Sequence, residues 1–298
     1  MIKLRGTPWN VWTGITFRFH PLFTLLMLLS VITGYFIEIV TLFVIVLIHE
    51  LGHVSVARSF GWKVKEVQLL PFGGVAAMEE APGSRALEEL LVALGGPLQN
   101  VWMMLVAYAL TLLGLIPQAW GDYFIQANAL IAAFNLLPVL PLDGGRILQV
   151  LIGLWLPYQR TMQVSTLVSL VVSGVLIIGA AFHVWTEQGG ILLNWLMIAF
   201  FLFYSNWHDW RGTPYRFMRF LLNREKRLEH RGAAAEPIYA ASRSRAGDIV
   251  RLFMRDKYHV VCVLDERDRV LGIVPERALL DCYFDERRRG TPLAELFA

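Results

Sequence analysis

The chain alternates between apolar runs and short polar segments up to residue 210, and it is mostly polar after that. A helix that crosses a bilayer needs about 20 predominantly apolar residues. We predict six spans, at about residues 21–37, 40–60, 87–116, 123–140, 166–182 and 191–204. The third run is interrupted by Gly95-Gly96-Pro97. The pattern predicts a polytopic α-helical membrane protein, followed by a small cytoplasmic α/β domain.

Composition supports the membrane assignment. Of the 298 residues 56% are hydrophobic and only 17% are charged, with a mean hydropathy of +0.50. A soluble protein of this length is less apolar. Three of the predicted loops, residues 34–39, 117–122 and 183–190, contain no Lys or Arg, whereas the loops between them do. The positive-inside rule then places both termini in the cytoplasm. We expect the net charge of +3 to reflect this topology rather than nucleic-acid binding.

The second apolar run ends in His49-Glu50-Leu51-Gly52-His53. Two histidines four residues apart share one face of a helix and can bind one metal ion. The glutamate beside that face can take a proton from the attacking water. Ionisable residues in a membrane helix are costly, which favours a function for this group. The motif therefore predicts a zinc site with one ion per chain, ligands His49 and His53, and Glu50 as the general base.

A hydrolytic zinc centre needs about three protein ligands and an open position. Asp143 is the best candidate for the third ligand, because it closes the fourth span on the same side as the histidines. A turn-forming Asp before Gly-Gly is the alternative. Asn135 lies eight residues earlier, and we expect it two helical turns away on the same face, where its amide can hold a substrate. Pro138 and Pro141 are expected to break the helix and open a cavity.

The segment 69–78 is apolar but contains Pro71 and the pair Gly73-Gly74, and it is too short to span the bilayer. We predict a hairpin-like loop that is re-entrant or interfacial.

Beyond the spans, we divide the chain into a membrane domain of residues 1–210, a basic juxtamembrane helix or linker of residues 211–235, and a domain of residues 236–298. The aromatic residues of the linker, Tyr215, Phe217 and Phe220, suit a helix lying against anionic lipid, and a plain charged helix is the alternative. In the last domain we predict helices at 246–255 and 275–283, strands at 259–264 and 270–274, and a turn at 265–268.

Taken together, these motifs resemble the site-2 protease family of intramembrane zinc metalloproteases, and in particular its sporulation branch. The likeness is carried by the sequences His49-Glu50-Leu51-Gly52-His53, Pro71-Phe72-Gly73-Gly74, Gly95-Gly96-Pro97-Leu98-Gln99, Asn135-Leu136-Leu137-Pro138 and Pro141-Leu142-Asp143-Gly144-Gly145. It implies that His49, His53 and Asp143 bind zinc and that Glu50 is the general base. It also implies that Asn135, Pro138 and Pro141 shape the substrate groove, and that Phe72, Gly73 and Gly74 border the substrate. One departure is Gly95, where many relatives have Ala.

The resemblance also implies partners and a location. The substrate would be the N-terminal pro-segment of a membrane-associated sporulation sigma factor precursor, and regulatory membrane proteins would hold the protease inactive. The location would be the bacterial cell membrane, at the membrane that surrounds the forespore. The segment 236–298 is similar to a single cystathionine-β-synthase (CBS) domain, which implies pairing between chains and an ATP or other adenine-nucleotide site there.

Two alternatives remain open from the residues. One is another membrane zinc protease, of a class whose third ligand is a distal glutamate instead of Asp143. The other is a transporter or channel gated by its cytoplasmic domain, with the histidines in an ion path. Neither alternative explains the segment 135–145.

Overall fold

The computed structural model describes residues 2–3, 16–19, 21–70, 73–79, 84–186, 191–228, 235–285 and 290–296. The chain forms two compact units. The first comprises residues 1–81, 87–138 and 142–147, and the second comprises residues 82–86, 139–141 and 148–298.

The first unit is built mainly of helices. They are α1 (Pro21–Thr33), α2 (Phe36–Ser59), α3 (Ala86–Leu112), α4 (Gln118–Asn135) and the first turns of α5 (Asp143–Gly153). The interruption predicted at Gly95-Gly96-Pro97 is wrong, because α3 runs through Pro97 without a break. Proline removes one backbone hydrogen bond from a helix, and helices in membranes tolerate this where neighbouring groups satisfy the freed carbonyl.

A small sheet accompanies these helices. Its strands β1 (Ile2–Lys3), β2 (Thr16–Phe19), β3 (Lys63–Leu70) and β4 (Gly73–Glu79) lie in the order β1-β2-β3-β4. Strands β3 and β4 are antiparallel, and Gly73 pairs with Leu70. The hairpin predicted for this segment is therefore confirmed as a strand pair with β4 at the end of the sheet, whereas Phe72 lies outside the described residues.

The second unit contains two long helices, α6 (Tyr158–Thr186) and α7 (Ile191–Leu228). Buried polar side chains of both helices hold the backbone of Leu140. Its N–H donates to Ser169 Oγ at 3.0 Å, and its carbonyl accepts from Asn206 Nδ2 at 2.5 Å. The peptide bond between Leu140 and Pro141 is cis.

The end of this unit is a three-stranded sheet of β5 (Ala235–Ala241), β6 (Tyr258–Leu264) and β7 (Val270–Pro275), with helices α8 (Ala246–Val250) and α9 (Glu276–Phe284). Strand β5 is parallel to β6, and β6 is antiparallel to β7. The predicted strands at 259–264 and 270–274 and the helix at 275–283 are confirmed to within a few residues. The helix predicted at 246–255 is too long, because it ends at Val250 and the chain turns at Arg251 and Leu252. The carbonyl of Phe253, just beyond this turn, accepts from the N–H of Tyr158.

Helix α7 continues into the core of this C-terminal part. Phe217, Phe220 and Leu221 are buried there together with strand and helix residues such as Val261 and Leu279. The helix predicted over the basic segment is therefore present as far as Leu228, but assigning Phe217 and Phe220 to a lipid surface was wrong. Burial of these side chains in the core contributes more to the free energy of folding than a position at the lipid interface would. Tyr215 is exposed. The domain limits at 211 and 236 stay a prediction.

Among the described residues, three helices are long and apolar enough to cross a membrane, namely α2, α3 and the segment Tyr158–Phe182 of α6. Helices also occupy the positions of the other three predicted spans, as α1, α4 and the first half of α7. Those three spans, and the orientation of the termini, stay predictions.

Candidate metal centre and active site

Helix α2 brings the two histidines together. Their rings meet edge to face, with centroids 4.8 Å apart, and the two Nε2 atoms are separated by 3.1 Å. Both side chains are buried, with 3% of His49 and 6% of His53 exposed. The spacing of four residues predicts this arrangement, because one turn of helix separates the two side chains.

Asp143 completes the group, but it lies at the start of a separate helix and not at the end of the preceding span. It is the first residue of α5, and its Oδ2 lies 3.2 Å from Nε2 of each histidine. Helix α4 ends at Asn135, and the residues between Asn135 and Asp143 are not helical. The expectation that Asn135 and Asp143 share one helical face is therefore wrong. The break falls where Pro138 and Pro141 were expected to cause it.

These three side chains fit a zinc ion. Zinc in proteins binds nitrogen and oxygen at about 2.0–2.2 Å in a tetrahedron, so its ligand atoms lie about 3.3–3.5 Å from one another. The three separations here are 3.1, 3.2 and 3.2 Å. Two imidazole nitrogens and one carboxylate are also a donor set that hydrolytic zinc sites use. In the part of the chain that the structure describes, this is the group of His, Cys, Asp and Glu that could hold a metal ion.

Glu50 lies next to this group on α2. It is half-buried, and it interacts electrostatically with His53, His49 and Asp143. A carboxylate held beside three metal-binding side chains is suited to accept a proton from a water that attacks a substrate there.

Helix α3 contacts the Nδ1 atoms of both histidines, and the sequence motifs did not predict these contacts. Asn100 Oδ1 lies 2.8 Å from His49 Nδ1, and the carbonyl of Val92 lies 2.7 Å from His53 Nδ1. Between them, a Cβ on Gly96 would lie within 2.6 Å of both Nε2 atoms. The available signal was Asn100 itself, a polar residue inside an apolar helix, directly after the segment Gly95-Gly96-Pro97-Leu98-Gln99.

Two further glycines allow close approach of backbones. A Cβ on Gly52 would lie 2.5 Å from the carbonyl oxygen of Gly95, and a Cβ on Gly95 would lie 2.8 Å from that of Gly52. Helices α2 and α3 therefore cross in contact at this pair. Gly144 has a similar role, because its Cβ would meet the carbonyl oxygens of Leu136 and Leu137. This glycine is therefore needed for space at the start of α5.

The residues predicted to bind substrate are placed as follows. Asn135 is half-buried at the end of α4, and its Nδ2 donates to the Ile131 carbonyl at 3.1 Å. Pro138 and Pro141 are exposed in the connection between α4 and α5. Gly73 and Gly74 begin the edge strand β4. Their contacts with a substrate stay predictions.

The fold and the donor set define a zinc metallopeptidase built into apolar helices. The family model of Peptidase family M50 matches residues 37–119 and 118–178, which include all four candidate site residues His49, Glu50, His53 and Asp143. Stage IV sporulation protein FB of Bacillus subtilis is 30% identical over 289 residues, which is 96% of this chain and 98% of that protein. The chain belongs to peptidase family M50, the site-2 proteases.

A sequence comparison and a structure comparison with Methanocaldococcus jannaschii agree with this assignment. Zinc metalloprotease MJ0392 is 33% identical over 136 residues, which cover 42% of this chain and 37% of that protein. The solved structure of a site-2 protease from the same organism superposes with a TM-score of 0.52 at 25% identity, and it covers 70% of this chain and 94% of that chain. The protein is therefore a zinc metalloprotease of a membrane protease family.

Proposed function

We propose that this protein is an intramembrane endopeptidase that removes the pro-segment of a membrane-associated sporulation sigma factor precursor. The observation that carries the proposal is the convergence of His49, His53 and Asp143 beside Glu50 on apolar helices. The 30% sequence identity to stage IV sporulation protein FB, over 96% of this chain, supports the choice of substrate.

His49, His53 and Asp143 would hold the zinc ion, and Glu50 would act on the water. When bound, zinc brings the pKa of a coordinated water close to neutrality and polarises a carbonyl. Glu50 accepts the proton of the attacking water and passes it to the nitrogen of the leaving amine. Burial of the two histidines keeps their rings in one orientation during these transfers.

The substrate must be extended at the cleaved bond, because a helix hides its carbonyls in its own hydrogen bonds. Strand β4 supports this step. It is at the end of the sheet order β1-β2-β3-β4, and it begins with Gly73 and Gly74. An extended peptide can pair with such an edge by backbone hydrogen bonds. Asn135 and the segment with Pro138 and Pro141 would border the same peptide.

The remaining parts of the proposal concern topology and control. We propose six spans with both termini in the cytoplasm, in the membrane around the forespore, and inhibition by partner membrane proteins. The C-terminal domain would pair with that of a second chain and bind an adenine nucleotide. A cavity of about 400 Å³ lies in this domain, and two arginines, Arg245 and Arg251, line it together with one acidic residue, Asp248. The excess of positive charge supports an anionic ligand there.

The substrate proposal is tested with purified full-length protein and two fusion substrates. One fusion carries a sigma factor pro-segment ahead of a reporter protein, and the other carries an unrelated amphipathic segment of equal length. We expect cleavage of the first fusion at a site that mass spectrometry locates within or next to the pro-segment. Equal cleavage of both fusions would contradict the proposed substrate. No cleavage of either fusion by zinc-loaded protein would contradict the proposed activity on this class.

A further inference from the structure

A buried hydrogen bond connects His49 to the neighbouring helix. The Nδ1 atom of His49 lies 2.8 Å from Oδ1 of Asn100, and Asn100 is fully buried. This nitrogen is on the opposite side of the ring from Nε2, which lies 3.2 Å from Asp143 Oδ2. Asn100 therefore contacts a predicted zinc ligand without reaching the ligand atom itself.

The orientation of the Asn100 amide is determined by its other neighbour. Its Nδ2 lies 3.3 Å from the backbone carbonyl oxygen of Asn128 on α4. A carbonyl oxygen can only accept a hydrogen bond, so the nitrogen of the amide must face Asn128. The oxygen of the amide must then face His49.

This orientation selects one tautomer of His49. Because Oδ1 is an acceptor, the hydrogen of the neutral ring is on Nδ1, and Nε2 keeps its lone pair. His53 is held in the same way, since its Nδ1 lies 2.7 Å from the Val92 carbonyl. The Gly96 N–H is 3.3 Å from that nitrogen, and the shorter contact decides the tautomer. Both Nε2 atoms therefore present lone pairs toward Asp143.

We infer that Asn100 is a positioning residue of the metal centre, which holds His49 in the tautomer and ring orientation that bind zinc. The inference rests on the zinc centre of the proposed function. Partners on the far nitrogen of a ligating histidine typically change metal affinity by 10–100-fold when they are removed.

The test compares zinc affinity in variants of the full-length protein, by competition with a chelator of known affinity. We expect Asn100→Leu to weaken zinc binding by about 10–100-fold. Asn100→Asp should stay within about 10-fold of the wild type, because a carboxylate oxygen still accepts from Nδ1.

Asn128→Ala is the matched control. Asn128 is fully buried as well, and among the described residues its side chain donates only to the Phe124 carbonyl within its own helix. Its Oδ1 has no hydrogen-bond partner among the described residues, and its backbone carbonyl, which Asn100 uses, is kept in the variant. We expect its zinc affinity to stay within about 2-fold of the wild type, since no contact of His49 changes.

A second readout is the hydrogen on Nδ1 of His49. In zinc-loaded protein labelled with ¹⁵N-histidine, this hydrogen should exchange slowly with solvent in the wild type, because it donates to the buried Asn100, and faster in Asn100→Leu. The inference is overturned if the His49 Nδ1 hydrogen exchanges equally fast in both proteins, if Asn100→Leu binds zinc as the wild type does, or if Asn128→Ala loses as much affinity. These measurements use no substrate, so failure of the proposed substrate leaves them unaffected, and loss of zinc from the wild type would instead contradict the proposed function.

Discussion

Gly96 gives the sharpest test of the metal centre, because any side chain there enters it. A Cβ on Gly96 would lie 2.3 Å from Nε2 of His53 and 2.5 Å from Nε2 of His49. Ordinary contacts of a Cβ begin at 3.4 Å. The methyl group of Gly96→Ala would therefore be about 1 Å too close to both rings. A zinc ion would also lie about 2.0–2.1 Å from each nitrogen, so the methyl group and the ion compete for the same space.

The rings cannot move aside without loss. A shift of about 1 Å would break the 2.8 Å contact of His49 with Asn100 and the 2.7 Å contact of His53 with Val92. Each buried polar group left without a partner costs about 1–3 kcal/mol. We therefore expect Gly96→Ala to weaken zinc binding by at least about 100-fold, which corresponds to roughly 2.7 kcal/mol.

The assay is metal analysis of purified protein after equilibration with a chelator buffer, together with the melting temperature. Gly174→Ala is the matched control, because Gly174 lies in the long helix α6 and a Cβ there meets nothing within 4 Å. The control should keep its zinc and its melting temperature. Wild-type zinc affinity in Gly96→Ala would refute the placement of Gly96 against the histidines.

Three further changes test other parts of the structure. Gly52→Ala should lower the melting temperature in detergent through about 1–3 kcal/mol of overpacking against the Gly95 carbonyl, and an unchanged melting temperature would contradict the close crossing of α2 and α3. Asp143→Ala should reduce bound zinc by at least about 100-fold, whereas unchanged metal content would favour a distal glutamate as the third ligand. Burial raises the pKa of Glu276, but hydrogen bonds from His259 and Arg224 outweigh burial and leave that pKa below its ordinary value of 4.5. A carboxylate whose pKa is lowered by folding stabilises the folded protein at pH values above its ordinary pKa, and this stabilisation is lost as the pH falls through the pKa of the folded state. Unfolding of the C-terminal part should therefore become easier below about pH 4.5. In Glu276→Gln this part should be about 3–5 kcal/mol less stable at pH 7 and less sensitive to acid, and an equal acid sensitivity would contradict the role of this carboxylate.

Local spacing made part of the site predictable. His49 and His53 are four residues apart in one helix, so their proximity needs no tertiary information. The antiparallel pairing of β4 with the segment before it was also predictable, because Pro71 and Gly73-Gly74 favour a tight turn in the segment 69–78, which is too short to span a membrane.

Other features depend on contacts between helices, which the pattern of apolar residues does not specify. Asn100 and Gly96 belong to the centre only because α3 crosses α2 at Gly52 and Gly95. The start of a new helix at Asp143 could not be predicted, because an Asp followed by Gly-Gly is also typical of a turn.

In the C-terminal part, too, the sequence pattern did not predict the tertiary contacts. Phe217 and Phe220 lie in a segment rich in basic residues, which is typical of a membrane surface, and yet they are buried in the core. Arg224, four residues after Phe220 on α7, forms a buried ion pair with Glu276 and donates to the carbonyl of Met254. Such a partner, which is far away in sequence, cannot be read from local charge.

In the proposed mechanism, Glu50 acts on water at a zinc centre made by His49, His53 and Asp143. The most direct measurement is cleavage of a membrane-tethered substrate by wild type and by Glu50→Gln, with zinc counted in both. We expect about one zinc per chain in both proteins and at least about 100-fold slower cleavage by the variant. Cleavage at the wild-type rate by Glu50→Gln, or absence of metal from the wild type, would contradict this mechanism.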